Sequence, residues 1–152
     1  RNRMKTVVVE ITTSLSPDDA FKLATNMEEF PKHSAIVNSV SRKGSESIAE
    51  TSWEVTFRQG KLRWTERDVR DFGRRCCSFV LLEGDFDIFE GEWEIAESLS
   101  FGSHLSFRCS FDFGIPSMQA MLESLAARTL ATCICEILSS LLTDVQVVKI
   151  QQ

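Results

Sequence analysis

The segment Lys61-Leu62-Arg63-Trp64-Thr65-Glu66-Arg67-Asp68-Val69 holds the residues whose types and spacing best suit chemistry. In an extended chain successive side chains alternate between two faces. If Leu62 and Trp64 point inward, Glu66 and Asp68 point inward with them, and Arg63 and Arg67 face water. A carboxyl beside a buried tryptophan is poorly hydrated, which raises its pKa toward the range of a useful general base. The alternative is a strand whose charges simply pair with its neighbours. His33 and Ser34 are adjacent, but a nucleophilic pair needs a third orienting group and an oxyanion hole, and neither is readable. His33 and His104 therefore read as surface residues. With these two histidines and five cysteines no zinc spacing emerges, and neither a metal nor a cofactor is expected.

The elements that must position Glu66 follow from periodicity. Met4 to Thr13 is β-branched and reads as a strand. Ser16 can cap a helix that starts at Pro17, with Asp18 and Asp19 at the positive end of its dipole. That helix runs to about Asn26, and a second short one spans Met27 to His33. From Ala35 to Phe113 the pattern alternates with period two, most clearly in Phe89-Glu90-Gly91-Glu92-Trp93-Glu94-Ile95. Glycines 44, 60, 73, 84 and 102 punctuate this stretch like the turns of a meander, giving six strands after the first. After Pro116, Ser117 can cap a last helix to about Thr143, roughly 40 Å long and apolar around much of its girth. The reading is an α+β domain over residues 4–145. Its seven-stranded curved antiparallel sheet wraps the long C-terminal helix, with two short helices between strands 1 and 2.

The remaining composition narrows the function. The 152 residues carry a net charge of -5, which disfavours nucleic-acid binding, and no apolar run reaches membrane-spanning length. Adjacent Cys76 and Cys77, and Cys133 and Cys135 two apart on a helix, diverge rather than pair, so reduced core thiols and a cytoplasmic location are expected. Phe30, Trp53, Phe57, Trp64, Phe79, Phe89, Trp93, Phe107 and Phe111 suit the lining of a cavity for a flat molecule, and equally a packed core. Cys109, Met118 and Leu122 fall on the same inward stripes. There is no tyrosine, so polar handles in a pocket must come from other side chains. Basic residues cluster from Arg58 to Arg75 and acidic ones from Glu83 to Glu97, a pattern that cross-strand pairing explains.

Several stretches carry a resemblance: Ser16-Pro17-Asp18-Asp19-Ala20-Phe21, Met27-Glu28-Glu29-Phe30-Pro31, Trp64-Thr65-Glu66-Arg67-Asp68-Val69, Gly91-Glu92-Trp93-Glu94-Ile95 and Ser110-Phe111-Asp112-Phe113. With them the chain resembles the START-like helix-grip superfamily, in its polyketide cyclase/dehydrase and lipid transport branch. The resemblance implies the helix-grip fold and a small hydrophobic or aromatic ligand. It is similar to single-domain aromatase/cyclases, which fold and dehydrate a poly-β-ketone chain, and next to coenzyme Q-binding START-like carriers, which do no known chemistry. For a cyclase, Glu66 is the base, with Arg67 or Asp68 assisting. The cyclases generally place an inward arginine two residues beyond the position of Glu66, where this chain has Asp68. Either a bulge re-aims Arg67 inward, or the chemistry differs, or there is none. An acidic acyl-carrier protein on the basic stretch, or a partner or second copy on the last helix, are the macromolecular contacts that this reading allows.

Overall fold

The computed structural model describes residues 4–114 and 119–152, and every statement below concerns these. Strand β1 (Lys5–Thr13) leads into helix α1 (Pro17–Ala24), where the Ser16 hydroxyl accepts from the Asp19 N–H at 3.3 Å and Pro17 occupies the first turn. A 3₁₀ turn, Met27–His33, follows. Strands β2 (Val37–Gly44), β3 (Ile48–Phe57), β4 (Gly60–Asp71), β5 (Cys76–Gly84), β6 (Ile88–Glu97) and β7 (Ser103–Asp112) then form an antiparallel meander. Helix α2 (Gln119–Leu141) crosses its concave face. The Ser117 cap expected for this helix lies outside the described residues.

The sheet has eight strands, not seven. Gln146–Gln151 forms β8 and pairs antiparallel with β1, giving the order β2-β3-β4-β5-β6-β7-β1-β8. The final helix ends at Leu141, two residues short of the expected Thr143, and the sheet continues past residue 145. β8 gives no period-two signal because it is an edge strand exposed along its whole length.

Alternation decides which side chains reach the core. On β6, Phe89, Trp93 and Ile95 are buried while Glu90, Glu92 and Glu94 are exposed. Gly91 occupies the remaining inward position because a Cβ there would meet the Arg108 carbonyl oxygen at 1.9 Å and the Phe79 ring at 2.7 Å. Helix α2 packs chiefly on β1 and the 3₁₀ turn. Its Ala127, Ala131 and Leu138 are buried, and Val7, Val9 and Ile11 of β1 are fully covered. Over β3 to β6 the helix stands off the sheet, and a cavity occupies the gap. Among the described residues, no helix is long and apolar enough to cross a membrane.

Candidate ligand cavity and its buried carboxyl pair

The cavity has a volume of about 90 Å³ and an almost wholly apolar wall. Trp53, Val55 and Phe57 of β3, Leu62 and Trp64 of β4, Phe79, Phe89 and Trp93, and Phe107 and Phe111 form its sheet side. Helix α2 contributes Ala126, Thr129, Leu130, Cys133, Ile134 and Ile137, and the 3₁₀ turn with its flank contributes Met27, Phe30, Ile36 and Val37. Trp53 and Trp64, opposite each other on β3 and β4, stack with centroids 5.5 Å apart and planes 7° apart.

Two residues along β4 from Trp64, Glu66 is the carboxyl in this wall, with 2% of its surface exposed. The Trp64 indole N–H donates to Glu66 Oε1 at 2.9 Å. Asp68 lies next on the same face, equally buried, and its Oδ2 accepts from the Thr51 hydroxyl. Burial drives the Glu66 pKa well above its ordinary value, and the hydrogen bond and charge of Asp68 push it further. The indole N–H groups of Trp64 and Trp53 act the other way, Trp53 without a well-formed hydrogen bond. Burial also raises Asp68, against its hydrogen bonds from Glu66 and Thr51 and the charges of Arg42 and Arg70. Two adjacent carboxyls in a dry site lose their protons one after the other, so the pair holds its last proton to a higher pH than an ordinary carboxyl and titrates as a unit. Asp68 Oδ1 is buried without a partner.

A family model described as polyketide cyclase / dehydrase and lipid transport matches residues 13–137 of this chain. The chain belongs to that family. A comparison with curated proteins found no match. Among solved structures, a Thermus thermophilus protein superposes with a TM-score of 0.80 at 22% identity, covering 90% of this chain and 94% of its own. The Zhui aromatase/cyclase of Streptomyces sp. R1128 gives 0.78 at 16%, covering 90% and 93%. A START superfamily protein of Mycobacterium smegmatis gives 0.71 at 17%, covering 90% and 94%. At these identities the likeness shows the fold, α+β with a curved antiparallel sheet around a C-terminal helix.

Within this family fold, all nine aromatic residues expected at the cavity lie in its wall, and Glu66 joins them. Asp68 sits behind Glu66, outside the wall. Arg67 is exposed on the outer face, opposite Glu50 of β3 and Val80 of β5. A register shift does fall between Thr65 and Glu66 on the β5 side, but Arg67 keeps its outward phase. Cys109 is buried yet absent from the wall, a short side chain between the longer Phe107 and Phe111. Leu122 is half-buried and away from the cavity, and Met118 lies outside the described residues.

Sequence reasoning missed the helical part of the wall and two arginines beside the carboxyls. The α2 contribution recurs at helical spacing, 126, 129/130, 133/134 and 137, but a helix this apolar does not reveal which stripe faces a void. Arg70 continues the inward phase of Trp64, Glu66 and Asp68, and Arg42 of β2 stands opposite Thr51 in register. Both arginines are half-buried, so the concave face does carry guanidinium charge, one strand position further along than expected. Ser34 does not pair with His33. Its hydroxyl accepts from the Ile36 and Val37 N–H groups at 3.1 and 3.2 Å, while His33 Nδ1 contacts the Ser140 hydroxyl at 2.6 Å on the surface. The five cysteines are free, and burial pushes the Cys77 thiol up to about 12, which leaves it protonated and unreactive.

Proposed function

We propose that this family member binds a flat, uncharged ketone or poly-β-ketone in the cavity and promotes its aldol cyclisation and dehydration, in the manner of an aromatase/cyclase. The observation that carries the reading is the Glu66 carboxyl, buried in an almost wholly apolar wall with the buried carboxyl of Asp68 beside it on β4. Such a pair costs stability, and a simple container of apolar ligands gains nothing from it. When the shared proton moves from Glu66 to Asp68, Glu66 is the carboxylate that takes a methylene proton, and it returns that proton to the departing hydroxyl, which leaves as water. The stacked Trp53 and Trp64 suit a flat conjugated chain. Arg58 and Lys61, exposed on the hairpin beside Phe57, offer a basic docking point for an acidic acyl-carrier protein.

A second reading is a carrier of a quinone or other apolar lipid, in cytoplasmic transport. The observation in its favour is that Glu66 Oε1 is already engaged by the Trp64 indole N–H and almost no polar surface reaches the void. The two readings part on chemistry, since a cyclase must favour a transition state over what it binds. Incubating the protein with a stable poly-ketone mimic should shift the products toward one ring pattern, and Glu66→Gln should reverse that shift. Products identical to the protein-free control, with a long-tailed quinone bound tightly, support the carrier instead.

A further inference from the structure

The cavity of about 90 Å³ is smaller than the roughly 150 Å³ space that holds a benzene, and well below the roughly 300 Å³ at which ligand pockets begin. A polycyclic ligand therefore needs part of the wall to move. The fully buried members of the wall are held on all sides, so the movable part is the half-buried rim.

That rim has an aromatic closure at one end of the trough. Phe57 ends β3, Phe86 sits in the connection between β5 and β6, and Phe113 follows β7. β3 and β7 are separated by three strands, roughly 19 Å along the sheet at about 4.8 Å per strand. Their rings nevertheless meet, because the sheet curls and the side chains reach across its end. The Phe113 ring stacks on Phe86 with centroids 4.9 Å apart and planes 12° apart, and on Phe57 at 6.3 Å and 28°. Phe86 in turn rests on Phe89 at 4.7 Å and edge-on against Trp64 at 5.4 Å. Phe57 and Phe86 line the cavity, and Phe113 packs on both without lining it. The Phe113 N–H donates to Glu123 Oε2 of α2 at 3.3 Å, and the Gly114 N–H donates to Asp112 Oδ1 at 2.7 Å, so the backbone is pinned, while the half-buried ring is held by its ring contacts, the third of them edge-on against Phe111 at 5.8 Å.

We propose that Phe113 is the specificity-determining residue of this cavity: its ring bridges Phe57 and Phe86, and its displacement sets how large a flat molecule the trough admits. The proposal rests on the reading of the cavity as a ligand site. A three-ring molecule enters only when the Phe113 ring swings off both stacks, and its own outer ring then takes over those faces. A two-ring molecule needs less of that movement.

The test is stopped-flow quenching of tryptophan emission by naphthol and by hydroxyanthraquinone, in the wild-type chain, Phe113→Ala and Phe113→Leu. In Phe113→Ala the association rate of hydroxyanthraquinone should rise about tenfold, the factor that one or two lost ring stacks supply, and that of naphthol by less than about threefold. Phe113→Leu keeps an apolar plug without a stack, should melt close to wild type, and should fall between the two. Equal changes for both probes, or none, overturn the proposal while leaving the ligand site intact. If neither probe binds the wild-type chain or either variant, the cavity reading falls and this proposal with it.

Discussion

The two halves of the concave face are built from the same alternating strands but packed to different ends. Along β1 and β7, Val7, Val9, Ile11, Leu105 and Cys109 have no exposed surface, and β1 lies directly under α2. Along β3 to β5 the inward residues include half-buried Trp53, Val55, Phe57 and Leu62, a void, and the carboxyls of Glu66 and Asp68. The first half holds the stability of the fold, and the second carries groups that stability alone does not require. A dense core transmits the loss of a single methylene, whereas a wall that already borders a gap relaxes around it.

The largest effect expected from this contrast is on stability. Ile11→Ala or Leu105→Ala, in the packed half, should cost about 2–5 kcal/mol in chemical denaturation, whereas Leu62→Ala at the rim should cost about 1 kcal/mol or less. Equal losses in the two halves would erase the distinction.

A smaller effect, in the same assay run against pH, isolates the carboxyl pair. Folding raises the pKa of Glu66, so the folded chain holds a proton that the unfolded chain releases near the ordinary value of 4.5. The stabilising contribution is therefore complete below that pH and is lost as pH climbs through the raised folded value. Asp68 acts in the same direction from its ordinary 3.8. Glu66→Gln should flatten this decline, because the amide has no proton to lose. A wild-type chain whose stability instead grows between mildly acidic and mildly alkaline pH would show that the pair is ionised and compensated.

Least affected should be Arg67→Ala, which removes a charge from the outer face. Stability should stay within about 0.5 kcal/mol, and ligand affinity should not change. A marked loss of binding or turnover would mean that the outer face of β4 takes part in the site after all.

The strands, both early helices and the inward course of Trp64, Glu66 and Asp68 were legible because a half-buried strand writes its burial as period-two alternation. β8 was not, since an exposed edge strand has no buried face to encode. Phe86 escaped for a related reason: it lies between β5 and β6, where alternation gives no phase, yet it packs against Trp64, Phe89, Phe111 and Phe113. Arg70 was readable by carrying the β4 phase one step further. The void itself had no signature, because the same phenylalanines and tryptophans suit a filled core. Its existence depends on how far α2 stands from β3 to β6, a distance set by tertiary packing.

Whether Glu66 is a neutral acid at the wall of a ligand cavity can be read by infrared difference spectroscopy with ¹³C-labelled glutamate. At neutral pH the wild-type chain should show the C=O stretch of a protonated, buried carboxylic acid, which Glu66→Gln removes and which shifts when hydroxyanthraquinone or a poly-ketone mimic binds. A spectrum with carboxylate bands alone, or an acid band that ignores a bound ligand, would contradict the account.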